Sequence, residues 1–182
     1  MIVITGKSCS GKDTIGKELE KLGIHKVITY TTRPPRDNEV DGVDYHFVST
    51  DNFKNLVKQG FFAEWRDYET DKGIWLYGSA KKDYNIAANK YIILTPSGLD
   101  AIKENSIDAT TFYIDVNDDV ILERLHNRGD DSKEAKRRFL ADIADFENIE
   151  NKVDFIISNN GQLSLQEIAT MINYATIGKR SR

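Results

Sequence analysis

Directly after the apolar run Ile2-Val3-Ile4, the chain turns through Gly6-Lys7-Ser8-Cys9-Ser10-Gly11-Lys12-Asp13-Thr14. A short β-branched run reads as a strand, and the Ile15, Leu19, Leu22 spacing beyond the turn reads as one face of a helix stopped by Gly23. Gly6 and Gly11 let the backbone curl so that successive N–H groups aim at one point, and the helix adds the partial positive charge of its N-terminus. A strand, an anion cradle and a helix at the start of a chain predict an α/β fold whose ligand sits at the carboxyl ends of parallel strands.

Through the lysine, the spacing matches the Walker A pattern for ATP, with Gly6, Ser8, Cys9, Ser10, Gly11, Lys12, Asp13 and Thr14 as the cradle and the Lys12 ammonium at the outer phosphates. Asp13 stands where such loops place a hydroxyl, and the hydroxyl arrives one residue later, so Thr14 or a water meets the Mg2+ that accompanies ATP. Asp13 suits the first helical turn, where the helix dipole favours a carboxylate turned away from the phosphates. Cys9 has two readings: a thiolate favoured by its electropositive setting, or a small residue of which only the backbone is used.

The 182 residues suffice for one sizeable core, and a net charge of -4 argues against nonspecific nucleic-acid binding. No stretch has the length of a membrane span or the form of a leader, and one cysteine cannot form an internal disulfide, so a cytoplasmic protein is predicted. No pattern specifies an oligomeric state.

Further apolar runs at Val27 to Tyr30, Tyr91 to Thr95, Thr110 to Val116 and Val153 to Ile157 complete a predicted five-stranded parallel sheet. Helical patterns at Ser97 to Glu104, Asp118 to His126, Ser132 to Ile149 and Ser164 to Tyr174 cover both its faces. Between the second and third strands the alternation breaks for residues 29–89, too long for a loop. That insertion holds predicted strands at Asp44 to Val48, Phe61 to Tyr68 and Ile74 to Tyr77, and a helix at Thr50 to Lys58 ended by Gly60. The basic tail from Gly178 to Arg182 reads as a frayed terminus.

A second anion site opens the insertion. In Thr31-Thr32-Arg33-Pro34-Pro35-Arg36 the prolines hold the backbone near polyproline II, whose three residues per turn place Arg33 and Arg36 on one side. Two planar guanidiniums fit phosphate oxygens, and Tyr45 and Tyr77 are candidate neutral donors. Two anion sites in one chain point to transfer between two nucleotides.

That segment, with Glu39-Val40-Asp41-Gly42-Val43-Asp44-Tyr45-His46-Phe47-Val48-Ser49, Phe62-Ala63-Glu64-Trp65, Tyr77-Gly78-Ser79, Leu125-His126-Asn127-Arg128-Gly129 and Arg137-Arg138, resembles guanylate kinases along nearly the whole chain. The resemblance implies a single P-loop kinase domain: a core of 1–28 and 90–182, a mixed α+β GMP-binding insertion of 29–89, and a helical lid at about 126–142. It implies ATP-dependent phosphorylation of GMP or dGMP with Mg2+. By matching positions, Arg33, Arg36, Tyr45 and Tyr77 hold the acceptor phosphate, Thr29 and Glu64 read the base, and Arg128, Arg137 and Arg138 close over the transferred group. Adjacent helical residues do not share a face, so at least one of Arg137 and Arg138 faces solvent.

Such kinases carry acidic residues after the third core strand, where this chain has Ile93 and Thr95; Thr95 offers the base a hydroxyl without charge. Asn38 replaces a usual glycine, extra residues occur around Glu69 to Ile74, and the lid is one residue short. Two alternatives follow: a nucleoside monophosphate kinase of relaxed base specificity, and an inactive module that binds proteins through the acceptor site, against which the intact Gly6, Gly11 and Lys12 stand.

Overall fold

The computed structural model describes residues 1–70, 73–84, 89–127 and 132–180, without the side chains of 70, 132–135, 138 and 180. Strand β1 (Ile2–Thr5) lies at the centre of a parallel sheet ordered β2-β7-β1-β8-β9, formed with β2 (His25–Lys26), β7 (Lys90–Ile93), β8 (Thr110–Asp115) and β9 (Phe155–Ser158). All four β1 residues are buried, as both faces of a parallel sheet must be. Ile2 and Ile4 point to one side, packing with Ile15 and Leu19 of α1 (Lys12–Lys21) and Ile168 and Ile172 of α6 (Leu165–Arg180). Val3 points to the other, with Leu99 and Ile102 of α3 (Pro96–Glu104) and with Phe146.

A second sheet, ordered β4-β3-β6-β5, is formed by β3 (Tyr30–Thr31), β4 (His46–Phe47), β5 (Phe62–Thr70) and β6 (Gly73–Ala80). Its apolar side packs Phe62 and Leu76 against Phe53 of α2 (Thr50–Lys58). The helix starts where Ser49 Oγ accepts the Asn52 N–H, and Gly60, at φ 63, turns the chain out of it. Helix α1 ends in a Schellman motif: Gly23 is left-handed, with Ile24 N donating to Leu19 O at 3.1 Å and Gly23 N to Glu20 O at 3.0 Å.

Several predicted limits move. Val27 to Tyr30 is not the second strand of the parallel sheet: that strand is β2, after which Val27 N still donates to Tyr91 O at 2.8 Å, and the chain then crosses to enter the second sheet at Tyr30. The strand read as Tyr91 to Thr95 stops at Ile93, because Thr95 Oγ1 caps α3. The helix read as Ser132 to Ile149 becomes α5 (Ser132–Asp145), and a 3-10 turn at Ile149–Asn151 follows a left-handed Asn148. Helix α6 outruns its predicted end at Tyr174 because Thr176 is buried, and Lys179 is tied to Asp154 at 2.8 Å rather than frayed. Its start is a reciprocal capping box between Ser164 and Glu167.

Candidate active site

The parallel strands β1 and β7 deliver their carboxyl ends to one cleft of about 440 Å3, and the second sheet supplies its far wall. The structure brings Gly6, Ser8, Lys12, Thr29, Arg33, Arg36, Tyr45, Glu64, Tyr77, Thr95 and Arg137 around it. Cys9, Ser10, Gly11, Asp13 and Thr14 do not line it: Ser10 is buried, and Asp13 and Thr14 lie exposed on the first turn of α1. The Cys9 side chain packs against Val116, Ile121 and Leu125 of the segment leading into and along α4 (Asp118–Asn127), which favours the reading in which only its backbone serves the loop. Arg128 lies outside the described residues, as does the side chain of Arg138.

Two glycines of the loop are required for different reasons. A Cβ on Gly6 would sit 2.8 Å from the Ile114 carbonyl of β8 and 2.6 Å from Ser10 Oγ, so the residue is set by close packing. Gly11 is at φ +92, and a Cβ there would meet Asn159 Nδ2 at 2.6 Å. Asn159 is itself an anchor that the sequence did not reveal, donating to Ser10 O at 2.8 Å; Arg124 of α4 adds a bond to Cys9 O at 3.1 Å.

The Lys12 ammonium folds into the loop, donating to Gly6 O at 2.6 Å, Lys7 O at 2.7 Å and Ser10 Oγ at 3.2 Å. Burial lowers its pKa, while Asp13 and Asp142 pull it the other way. Asp142 reaches the loop from α5, and its Oδ2 accepts the Ser8 backbone N–H at 2.6 Å. A carboxylate and a phosphate oxygen compete for that donor. Asp142→Asn keeps an acceptor but removes the charge, so it should tighten ATP binding about fivefold in a calorimetric titration. Weaker binding would assign Asp142 a supporting role toward the nucleotide instead.

On the opposite wall, Arg33 is buried and bound on two sides. Its NH2 pairs with Glu39 Oε1 at 2.7 Å and its NH1 donates to Pro34 O at 2.9 Å, with the guanidinium over the Tyr45 ring at 5.4 Å. Burial works against the Arg33 charge, but Glu39 and Tyr77 outweigh it and raise the pKa; Glu39, bonded by Arg33, is held below the usual carboxylate range. Glu39 Oε2 also accepts the Arg36 backbone N–H at 2.8 Å, so this carboxylate shapes the turn between the two arginines while the Arg36 side chain stays exposed. Tyr45, Tyr77 and Tyr68 meet edge to face along the wall, and burial pushes Tyr45 up to about 12, which keeps it a proton donor at neutral pH.

Glu64 owes its place to a register shift. Phe62 pairs with Ala80, yet Glu64 pairs with Ser79, so the strand skips a residue at Ala63 and turns Glu64 toward the cleft. Ser79 Oγ donates to Glu64 Oε1, and burial, opposed by that bond, raises the Glu64 pKa. Thr95 borders the same space, but its Oγ1 accepts the Gly98 N–H at 3.3 Å and lies 3.1 Å from Ser97 Oγ. Its side chain caps α3 and also bonds the Tyr68 side chain on the cleft wall, and neighbouring Ile93 is apolar. Carboxylates enter the cleft instead from α5, as Asp142 and Asp145. Ser79, Arg66, Tyr68 and these two aspartates are site residues that the sequence reading missed; the Tyr77-Gly78-Ser79 motif was the one available signal, and it pointed only to Tyr77.

A guanylate kinase family model matches residues 1–174. The chain is 31% identical to the guanylate kinase of Neisseria meningitidis serogroup A over 191 aligned positions, covering 100% of this chain and 90% of the relative. It is 32% identical to that of Symbiobacterium thermophilum over 168 positions, covering 88% and 77%. Among solved structures, guanylate kinase from Anaplasma phagocytophilum shares the fold with a TM-score of 0.71 at 19% identity, over 100% of this chain and 87% of that one.

Proposed function

The chain belongs to the guanylate kinase family and transfers a phosphoryl group from ATP to GMP, and we propose that the shared cleft seats both substrates with the roles that follow. The observation that carries this reading is that Lys12, Arg33, Arg36 and Glu64 face one space from opposite walls. ATP places its phosphates on the loop at Gly6 to Thr14, with Lys12 at the outer ones. Arg33, Arg36, Tyr45 and Tyr77 hold the phosphate of GMP or dGMP. The acceptor oxygen then attacks the γ-phosphorus in line, so no protein nucleophile is required, and the protein contributes position and positive charge. Arg137, on α5 at the cleft edge, adds charge at the transferred group.

Base choice rests on Glu64 and Thr29. Guanine presents N1–H and an exocyclic amine side by side to the two carboxylate oxygens, and its O6 accepts from the Thr29 hydroxyl. Adenine has no N1–H, so it leaves the half-buried Glu64 carboxylate short of a donor on its base-facing side. Thr95, which lines the cleft and caps α3 as an acceptor, adds an uncharged hydroxyl at the base.

The Mg2+ that accompanies ATP is bound chiefly through the nucleotide in this reading. Among the described residues no group of three or more His, Cys, Asp or Glu forms a metal cage. Thr14, on the first turn of α1, is the hydroxyl that would meet Mg2+ through a water, and the ion would supply neutralisation of charge on the phosphates. Among the described residues no helix is long and apolar enough to cross a membrane, and the cytoplasm, where both nucleotides occur, is the proposed location.

Steady-state phosphotransfer with GMP, dGMP, IMP, AMP, CMP, UMP and dTMP tests the reading. GMP and dGMP should lead by a wide margin, and comparable rates with several bases would remove Glu64 as the discriminator. Glu64→Gln, whose amide cannot present two acceptors, should cut the GMP-to-AMP ratio about 100-fold. Arg36→Ala should raise the KM for GMP about tenfold without changing ATP affinity or melting temperature, because the side chain is exposed; equal losses for both nucleotides would misplace the acceptor phosphate.

A further inference from the structure

Tyr84 belongs to the core yet ends in a polar contact beneath the base-reading wall. It closes the 3-10 turn Lys81–Tyr84 after β6, its ring packs among Val27, Ile92 and Leu94, and it is 7% exposed. Its hydroxyl lies 2.5 Å from Ser79 Oγ. Ser79 is fully buried and donates to Glu64 Oε1. A hydroxyl has a single hydrogen. With that of Ser79 committed to the carboxylate, Tyr84 is the donor in the other bond, and the direction is fixed: Tyr84 O–H to Ser79 Oγ, Ser79 O–H to Glu64.

We propose that Tyr84 is a positioning residue for base recognition, acting through Ser79 to hold the Glu64 carboxylate in the orientation that presents its two oxygens to the guanine edge. The inference rests on the reading of Glu64 as the base reader. Three features make the relay consequential. The register skip at Ala63 brings Glu64 directly opposite Ser79, so the contact is built into the pairing of β5 and β6. Tyr84 is locked by the core beneath the parallel sheet, and its hydroxyl thereby couples the rigid sheet to the base-reading strand. Finally, Ile93 is apolar and Thr95 carries no charge, so the neighbouring strand end brings no carboxylate to share the base with Glu64.

The relay also bears on protonation. Burial favours the neutral Glu64 carboxyl, and hydrogen bonds to its charged form oppose that shift. The groups facing it are Arg66 and Tyr68 on β5, Ser79 on β6 and Tyr84, with Asp83 next to Tyr84 paired to Lys90 at 3.4 Å. Both tyrosines are raised by burial and stay neutral, so Glu64 is the group whose titration the relay governs. Weakening the Ser79 bond raises the Glu64 pKa, and the acid limb of GMP use moves to higher pH.

The test is a double-mutant cycle of Tyr84→Phe and Ser79→Ala, with kcat, KM for GMP and for ATP, and the pH profile of kcat/KM for GMP. Tyr84→Phe keeps the ring and its packing. It should raise the KM for GMP about tenfold and shift the acid limb upward, with kcat and the KM for ATP changed less than about twofold. In the Ser79→Ala background it should add nothing. An unmoved acid limb with a KM change under about twofold, or an undiminished effect without Ser79, overturns the relay. Glu64→Gln, run alongside, separates the two levels: if it leaves base preference intact, the base-site reading itself falls and the relay with it, whereas a Glu64-dependent enzyme indifferent to Tyr84→Phe loses the relay alone.

Discussion

Lys12→Ala should lower kcat by about 100- to 1,000-fold, the scale measured when one preorganised donor to developing charge is removed. The three ammonium hydrogens sit on Gly6 O, Lys7 O and Ser10 Oγ within the loop, so the charge is held at the phosphate seat before any substrate enters. Lys12 belongs to neither apolar cluster that packs the parallel sheet, and the loop keeps its anchors from Asn159 and Arg124. The melting temperature should therefore stay within a few degrees while turnover collapses. Single-turnover measurements with saturating GMP separate the chemical step from binding. Retained turnover would refute the donor-site assignment outright.

Arg33→Ala should fail in two ways at once, which distinguishes it from Arg36→Ala. Removing Arg33 leaves Glu39, with 16% of its side chain exposed, without the partner it holds at 2.7 Å. Breaking a buried pair from one side costs about 3 kcal/mol, or roughly 6–12 °C in melting temperature for a chain of this size. The KM for GMP should rise about 100-fold from the loss of charged bonds to the acceptor phosphate. The pH dependence has a definite sign. Arg33 holds the Glu39 carboxyl below its ordinary pKa, so the pair stabilises fully above the usual glutamate range and loses that stabilisation as pH falls through the depressed value. Thermal melts of both proteins should differ most at neutral pH and converge in acid. A stability loss without any change in KM would make Arg33 a structural brace alone.

The Lys12 result follows from spacing visible in the chain, since a glycine-framed loop ending in Gly-Lys between a strand and a helix is the phosphate-binding pattern in its confirming context. The Arg33 result needs Glu39, whose part in the clamp lies in a turn that places both carboxylate oxygens on neighbouring donors. The sequence pattern put Arg33 and Arg36 on one side, and the structure adds that one is buried and braced while the other is exposed at the cleft.

Local chemistry determined by itself the phosphate loop, α1 with its Gly23 stop, α2 between Ser49 and Gly60, the alternation that yields a parallel sheet, and the insertion with its arginine pair. Each rests on interactions between near neighbours: steric freedom at glycine, caps, and a 3.6- or 2-residue apolar period. Only the tertiary structure decided what depends on pairing between distant segments. The crossing of Val27 to Tyr30 between two sheets, the skip at Ala63 that aims Glu64, the use of Thr95 as a cap, and the arrival of Asp142 at the Ser8 amide all arise between elements far apart in the chain. A strand's register and a helix's docking are set by the packing of the whole core; a one-residue shift reverses the faces of a strand and turns a helix by about 100°, changing which side chains meet the cleft.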